Sequence, residues 1–360
     1  MTTAFINRIG TAVPPNDVHE RFIHFVDRLL PDRKAKLLFK RMSQRAGIEH
    51  RYSVLEPNDS LAPALDRDGL YQMGHFAGTA ARMAQFETKA ADLAERTITA
   101  LGLNGERSSI THLIVASCTG FAAPGLDQIL VERLGLNPII ERTMVGFMGC
   151  AAAVNALKVA HHIVRSEPSS KVLVLNVELC TLHLHETADL ESLLTALLFG
   201  DGCAAALVST EPAGAAIENF RTITIPNSRD LITWRVGDRG FEMTLSGEVP
   251  ARIAGALRQE ATRNDDQGLL RGQRPSDFER WAVHAGGRTI LDAVEHGLAL
   301  GPEVLSWSRG VLRDFGNMSS ATLMFVLQRM MGAASGPANG MAIAFGPGLV
   351  AETFCFSLPG

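Results

Sequence analysis

At 360 residues, with 46% hydrophobic and 20% charged residues, the chain can build one large globular domain or two ordinary ones. A net charge of −4 offers no global attraction to nucleic acid or an anionic membrane, and no apolar run reaches membrane-span length. The five cysteines (Cys118, Cys150, Cys180, Cys203, Cys355) are widely spaced without a Cys-x-x-Cys pair, which argues against a disulfide framework and a zinc site.

Met1 to Asn16 carries no signal-peptide pattern, so a reduced cytoplasmic protein is expected. Phe5 to Val13 reads as a strand closed by Pro14-Pro15. Asn16 or Asp17 then caps a helix with Phe22, Phe25, Val26, Leu29 and Leu30 on one face. Lys34 to Tyr52 is the most basic stretch, with Lys34, Lys36, Lys40, Arg41, Arg45, His50 and Arg51. It reads either as a solvated helix face or as a dock for a phosphorylated ligand. Residues 56–78 are irregular, and Thr88 to Leu101 has helical periodicity. Thr111 to Cys118 is a continuous apolar run suited to a strand covered on both faces. Gly120 to Pro124 breaks it, and a helix is expected over Leu126 to Leu134. A helix after Cys150, a strand over Lys171 to Val177, a buried helix or loop from Leu193, a Gly-Asp-Gly turn and a strand over Cys203 to Val208 come next.

The pattern pauses near Ser209 to Gly214, so the expected halves are residues 1–210 and 211–360. The second half repeats the alternation. Strands are expected at Ile217 to Ile225, Gly240 to Thr244, Trp281 to His284, Met341 to Phe345 and Glu352 to Phe356. Helices are expected from Pro250, at Arg288 to His296 and at Ser319 to Met331. Alternating strands and helices indicate an α/β fold with mostly parallel or mixed sheets.

Three positions carry candidate chemistry. Cys150 comes after a Gly146-Phe-Met-Gly149 turn and opens an alanine-rich helix; the positive helix end favours a thiolate, although free cysteines also serve as small buried hydrophobes. His284 ends an apolar strand before Ala285-Gly-Gly287, where sites gather in α/β sheets; a satisfied core histidine is the alternative. Asn317 precedes a helix, where asparagine also serves as an ordinary cap. Ala344-Phe-Gly-Pro-Gly348 is a glycine loop after a buried strand, either a structural turn or a wall against substrate.

These positions, with Phe199-Gly-Asp-Gly202, Val283-His-Ala-Gly-Gly287, Gly316-Asn-Met-Ser-Ser320 and Phe345-Gly-Pro-Gly348, match in order and spacing the motifs of the type III polyketide synthases. The chain therefore resembles the chalcone synthase-like family of thiolase-fold condensing enzymes over nearly its whole length. The resemblance implies a layered αβαβα fold of two similar halves, with mixed sheets around buried helices. It implies Cys150 as the acyl-carrying nucleophile, with His284 acting on its thiol. His284 and Asn317 would stabilise the oxyanion formed when malonyl-CoA decarboxylates. Neither a metal nor a redox cofactor is implied; CoA thioesters are substrates. Phe199 matches an aromatic gatekeeper, Ser319, Gly346 and Pro347 fall in the motifs around the cavity, and Arg41 and Arg45 match cations that hold the CoA phosphates. Leu38 stands where lysine is usual, with Lys40 nearby as a substitute. A homodimer is implied, with the loop Gly120 to Gly125 near the partner's cavity and Ala123 where plant enzymes place methionine.

Departures from the plant pattern concern the substrate. The second gatekeeper is Met243, threonine positions hold Cys118, Cys180 and His183, and a glycine position holds Trp234. Ala285 and Arg288 also differ from the plant residues. The softer lining suits an alkyl chain, and Trp234 narrows one side. The expected function is iterative condensation of malonyl-CoA onto a fatty acyl-CoA, closing to an alkylresorcinol or alkylpyrone, as in bacterial-type synthases. The alternative is a β-ketoacyl synthase of the initiating type, which performs one condensation. A Cys–His–Asn hydrolase is disfavoured by the alanine-packed setting of Cys150.

Overall fold

The computed structural model describes residues 2–58, 64–103, 105–334 and 336–359. The first half contains β1 (Ala4–Ala12), β2 (Asn16–Asp17), α1 (His19–Leu29), α2 (Arg33–Arg45), β3 (Tyr52–Ser53), β4 (Tyr71–Gln72), β5 (His75–Phe76), α3 (Thr79–Leu101), β6 (His112–Ser117), α4 (Leu126–Leu134), β7 (Glu141–Gly146), α5 (Ala152–Ser166), β8 (Val172–Leu179), α6 (Leu190–Leu198) and β9 (Asp201–Ser209). The second half contains β10 (Ala215–Thr224), β11 (Ile232–Gly237), β12 (Gly240–Leu245), α7 (Val249–Ala261), β13 (Arg280–Val283), α8 (Arg288–Leu298), α9 (Ser306–Phe315), α10 (Ala321–Gly332), β14 (Ala338–Gly346) and β15 (Val350–Leu358).

Nine strands form one ladder in the order β13-β14-β15-β10-β1-β9-β8-β6-β7. Within it one plan occurs twice. In β6-β8-β9-β1 the successive pairings are parallel, antiparallel and antiparallel. The run β13-β14-β15-β10 has the same three pairings in the same order. The two runs meet where β1 pairs antiparallel with β10.

The helices that run into the equivalent strands β8 and β14 are α5 and α10, and both lie in the centre. Ala151, Ala152, Ala153, Ala156, Leu157 and Ala160 of the α5 region pack in one core with Leu323, Met324, Phe325, Val326 and Leu327 of α10. Alanine is the best helix former, and its short side chain lets α5 lie close to neighbours on several sides. The outer face of the first sheet is covered by α3 and α4 through Phe86, Leu93, Ile98 and Leu130. The outer face of the second is covered by α7 and α8 through Ile253, Leu257, Leu291 and Val294. The layers are thus helix, sheet, paired helices, sheet, helix: a thiolase-like mixed α/β architecture.

Several local expectations are corrected. Helix α3 begins at Thr79, nine residues before the expected start, because Met83, Phe86 and Ala90 continue its inner face. Cys150 lies in a separate 3₁₀ turn, Gly149–Ala151, and α5 begins only at Ala152. Asp201 and Gly202 open β9 and do not form a turn. Strands β7 and β11 and helix α9 have no counterpart among the expected elements. Strand β7 lacks a sequence signal because its residues are mostly exposed, without burial alternation.

Candidate active site

The repeated plan brings the starts of α5 and α10 together, and one cavity of about 410 Å³ opens there. Cys150, His284 and Asn317 all line it, so three residues distant in sequence converge. The positive ends of both central helices point toward this place, which favours any oxyanion formed in it.

Backbone strain marks the turn that carries Cys150. Phe147 has φ 55° and Gly149 has φ 62°. A side chain at Gly149 would meet the Pro347 ring, with a Cβ only 2.2 Å from Cδ. The Gly346–Pro347 loop therefore presses on the nucleophile turn, and both residues line the cavity. Ser319 holds φ 47° before α10, a conformation non-glycine residues adopt rarely. The Cys150 thiol donates to Ser319 Oγ at 3.8 Å. Asn317 Oδ1 accepts from Ser319 N at 2.8 Å, and Asn317 Nδ2 donates to Gly286 O at 3.1 Å. This fixes which end of the amide presents its N–H groups.

His284 is buried, and neither ring nitrogen has a partner among the described residues. Burial holds it down to about 3. Burial likewise pushes Cys150 up to about 12, against the lowering effect of Ser319 and Asn317. Taken alone, each group is neutral. A thiolate at Cys150 therefore needs stabilisation against burial, and His284 lines the same cavity.

Opposite these groups stands an apolar and aromatic wall. Trp234 and Met243 are cross-strand partners in the β11–β12 hairpin, and both line the cavity. Trp234 Nε1 donates to Cys118 O at 2.6 Å. Cys118 Sγ accepts from Gly149 N at 3.1 Å, which ties this wall to the nucleophile turn. His183 Nε2 donates to Thr119 O at 2.7 Å, while Nδ1 accepts from Phe241 N at 2.9 Å. The ring stacks on Phe241 at 4.2 Å, and burial depresses its ionisation to about 3, so it acts as an aromatic plate. Cys180 lines the same space, and burial raises its thiol well above the ordinary range.

Residues 2–212 match the family described as "Chalcone and stilbene synthases, N-terminal domain", and residues 217–358 match its C-terminal domain. The chain belongs to this family, the type III polyketide synthases. It is accordingly an acyltransferase that forms polyketides. The synthase is 32% identical to "Alpha-pyrone synthesis polyketide synthase-like Pks18" of Mycobacterium tuberculosis, over 99% of this chain and 92% of that one. It is 34% identical to "Bisdemethoxycurcumin synthase" of Oryza sativa subsp. japonica, over 97% and 91%. Among solved structures, PKS-I of the brown alga Ectocarpus siliculosus superposes with a TM-score of 0.87 at 29% identity, covering 99% of each chain. Tetrahydroxynaphthalene synthase of Streptomyces coelicolor A3(2) gives 0.86 at 26% identity, covering all of both chains.

The synthase separates its basic stretch into two groups. Lys40, Arg41 and Arg45 lie exposed on α2, outside the cavity wall. Arg45 is tied to the rim, because its carbonyl accepts from Arg288 Nη1 at 3.1 Å. Arg51 instead turns inward, is buried, contrary to a solvated role, and lines the cavity. His50 is occupied by Asp17 at 2.6 Å.

Sequence reasoning missed Glu178, which lies buried behind the site. It accepts from Ser320 Oγ, from Thr119 Oγ1 at 2.9 Å and from Cys118 N at 3.0 Å. Burial raises it to about 7. Its signal was a lone carboxylate inside the apolar run Val172–Leu179. Phe241 was also missed, its role being visible only once His183 stacks on it. Among the described residues no cluster of His, Cys, Asp or Glu is suited to hold a metal ion, and no helix is long and apolar enough to cross a membrane.

Proposed function

We propose that the synthase carries an acyl starter, drawn from a fatty acyl-CoA, on Cys150 and extends it repeatedly with malonyl-CoA. The product is an alkylpyrone or alkylresorcinol. The convergence of Cys150, His284 and Asn317 at one end of a cavity walled by Trp234, Met243, Phe241 and Cys180 carries this reading. The wall is apolar enough for an alkyl chain, and the likeness to Pks18 favours pyrone closure.

In the loading step His284 takes the Cys150 proton as sulfur attacks the starter thioester. The proton then passes to the departing CoA thiolate, which returns neutral imidazole. Malonyl-CoA next places its thioester oxygen against the N–H groups of His284 and Asn317. The bond to the carboxylate breaks, carbon dioxide leaves, and the electron pair becomes an enolate held by those donors. Phe199 supplies an apolar face that favours loss of the carboxylate charge. The enolate carbon attacks the acyl group on Cys150, and the sulfur leaves as thiolate. The extended chain, now on CoA, returns to Cys150 for another cycle. No step needs a metal or redox cofactor.

Lys40, Arg41 and Arg45 are read as holding CoA phosphates at the rim, which the Arg45–Arg288 link to the Gly286 segment supports. Residues 1–210 and 211–360 are read as two thiolase-like halves, supported by the repeated strand plan. A cytoplasmic setting fits five free thiols. A homodimer is supported by the free edge of β7 and the exposed apolar Ile139, Met144 and Phe147 beside it. Sedimentation velocity tests this: Met144→Lys should lower the sedimenting mass by half.

The function itself is tested by offering labelled malonyl-CoA with starters from acetyl-CoA to long acyl-CoA. Triketide or tetraketide products with a long-chain optimum are expected. A single β-ketoacyl product whatever the starter would favour the one-condensation alternative.

A further inference from the structure

Arg51 is 2% exposed, yet no carboxylate hydrogen-bonds to its guanidinium among the described residues. The donors that are paired go to neutral acceptors, and buried Nη2 has no partner among the described residues. Nη1 donates to Ala196 O at 3.1 Å and to Phe199 O at 2.6 Å. Nε donates to His19 Nδ1 at 3.1 Å, and the guanidinium lies over the Phe22 ring at 4.8 Å. Ala196 and Phe199 stand at the end of α6, where helix carbonyls lack internal partners. That helix has no basic residue in its last turn. Arg51 therefore supplies, from the segment before β3, the cation that α6 lacks.

The chain passes directly from α6 into the site. Phe199 and Asn317 form a parallel backbone bridge. Asn317 N donates to Leu198 O at 2.8 Å, and Gly200 N donates to Asn317 O at 3.0 Å. The gatekeeper and the amide of the decarboxylation site are thus one backbone unit, and Arg51 grips its back. The fit is close. A Cβ at Gly316 would lie 2.9 Å from Arg51 Cγ, and one at Gly200 would lie 3.5 Å from Arg51 Cβ. The arginine stem fills the space that these two glycines leave.

We propose that Arg51 is a positioning residue for decarboxylation, fixing Phe199 and Asn317 together relative to the reacting thioester. The inference rests on the proposed roles of Phe199 and Asn317 in that step. It separates two half-reactions. Loading of Cys150 from acyl-CoA uses His284 and should be nearly independent of Arg51. Decarboxylation of malonyl-CoA should depend on it, because small displacements of preorganised donors cost rate steeply.

The test compares Arg51→Met, which keeps an unbranched stem without donors, and Arg51→Lys, which restores a cation. Starter loading is tracked by intact-protein mass, and decarboxylation by release of labelled carbon dioxide. Arg51→Met should lose about tenfold or more in decarboxylation while loading stays within about threefold, and Arg51→Lys should recover part of the loss. Phe22→Leu, which removes the ring beneath the guanidinium, should show the same split more weakly and serves where Arg51→Met does not fold. Equal losses in both half-reactions, or no loss in either, would overturn the proposal. Asn317→Ala is run beside them; if it decarboxylates at the wild-type rate, the role of Asn317 is the reading that fails.

Discussion

Replacing His284 with glutamine removes the proposed proton acceptor for Cys150 and leaves the surrounding burial in place. Burial, with the charge of Glu178, pushes Cys150 up to about 12, against the lowering effect of Ser319 and Asn317. At pH 7 a thiol of that acidity is thiolate in about one molecule in 10⁵. In the wild type His284 is itself held to about 3 by burial, so neither group ionises without the other. In the proposed mechanism Cys150 passes its proton to His284, and each resulting charge would offset the desolvation of the other. The assay is alkylation by iodoacetamide, read at the Cys150 peptide by mass spectrometry from about pH 6 to 10. Peptide resolution is required because Cys118 and Cys180 line the same cavity. Wild-type Cys150 should react at a nearly level rate across this range. His284→Gln should react at least about 100-fold more slowly at pH 7 and accelerate about tenfold per pH unit. A variant that reacts at the wild-type rate at pH 7 would refute the reasoning that an isolated, buried Cys150 stays protonated.

Three further outcomes are expected. Trp234→Gly removes the indole that narrows the cavity and its bond to Cys118 O, so longer products should gain share at a stability cost of about 3 kcal/mol; an unchanged product ratio would contradict the role of Trp234. Gly149→Ala forces a Cβ into Pro347 at a left-handed φ, and should cost about 2–4 kcal/mol in urea denaturation and slow loading of Cys150. Glu178 is raised from 4.5 to about 7 in the folded protein. A raised acid adds stability below its unfolded value and loses it as pH rises through the folded value. Glu178→Gln should therefore flatten the fall in stability between about pH 4.5 and 7, measured as urea midpoint against pH; an unchanged slope would place the titration elsewhere.

Much of this architecture was legible in the chain. The helix Leu126–Leu134 has the predicted bounds, and the apolar runs around Leu113 and Val174 are strands buried on both faces. Local pattern failed where burial is one-sided or absent. Strand β7 shows water most of its residues, and α9 carries Gly310 within a short, polar-faced turn sequence. Cys150, His284 and Asn317 stood out because each adjoins glycines at the end of an element. Their meeting is tertiary, since it depends on two equivalent helices starting at one cavity. Arg51 shows the opposite failure: in sequence it belongs to a basic run, and only the fold reveals that it faces the carbonyls of α6.

The most direct test tracks the acyl group on the protein. Wild type and Cys150→Ala are mixed with a long acyl-CoA, quenched, and their peptides weighed, before and after labelled malonyl-CoA is added. The account predicts that the Cys150 peptide gains the starter mass, that malonyl-CoA then discharges it into multiply extended product, and that Cys150→Ala does neither. A starter found on another residue, or extended product from Cys150→Ala, would contradict it.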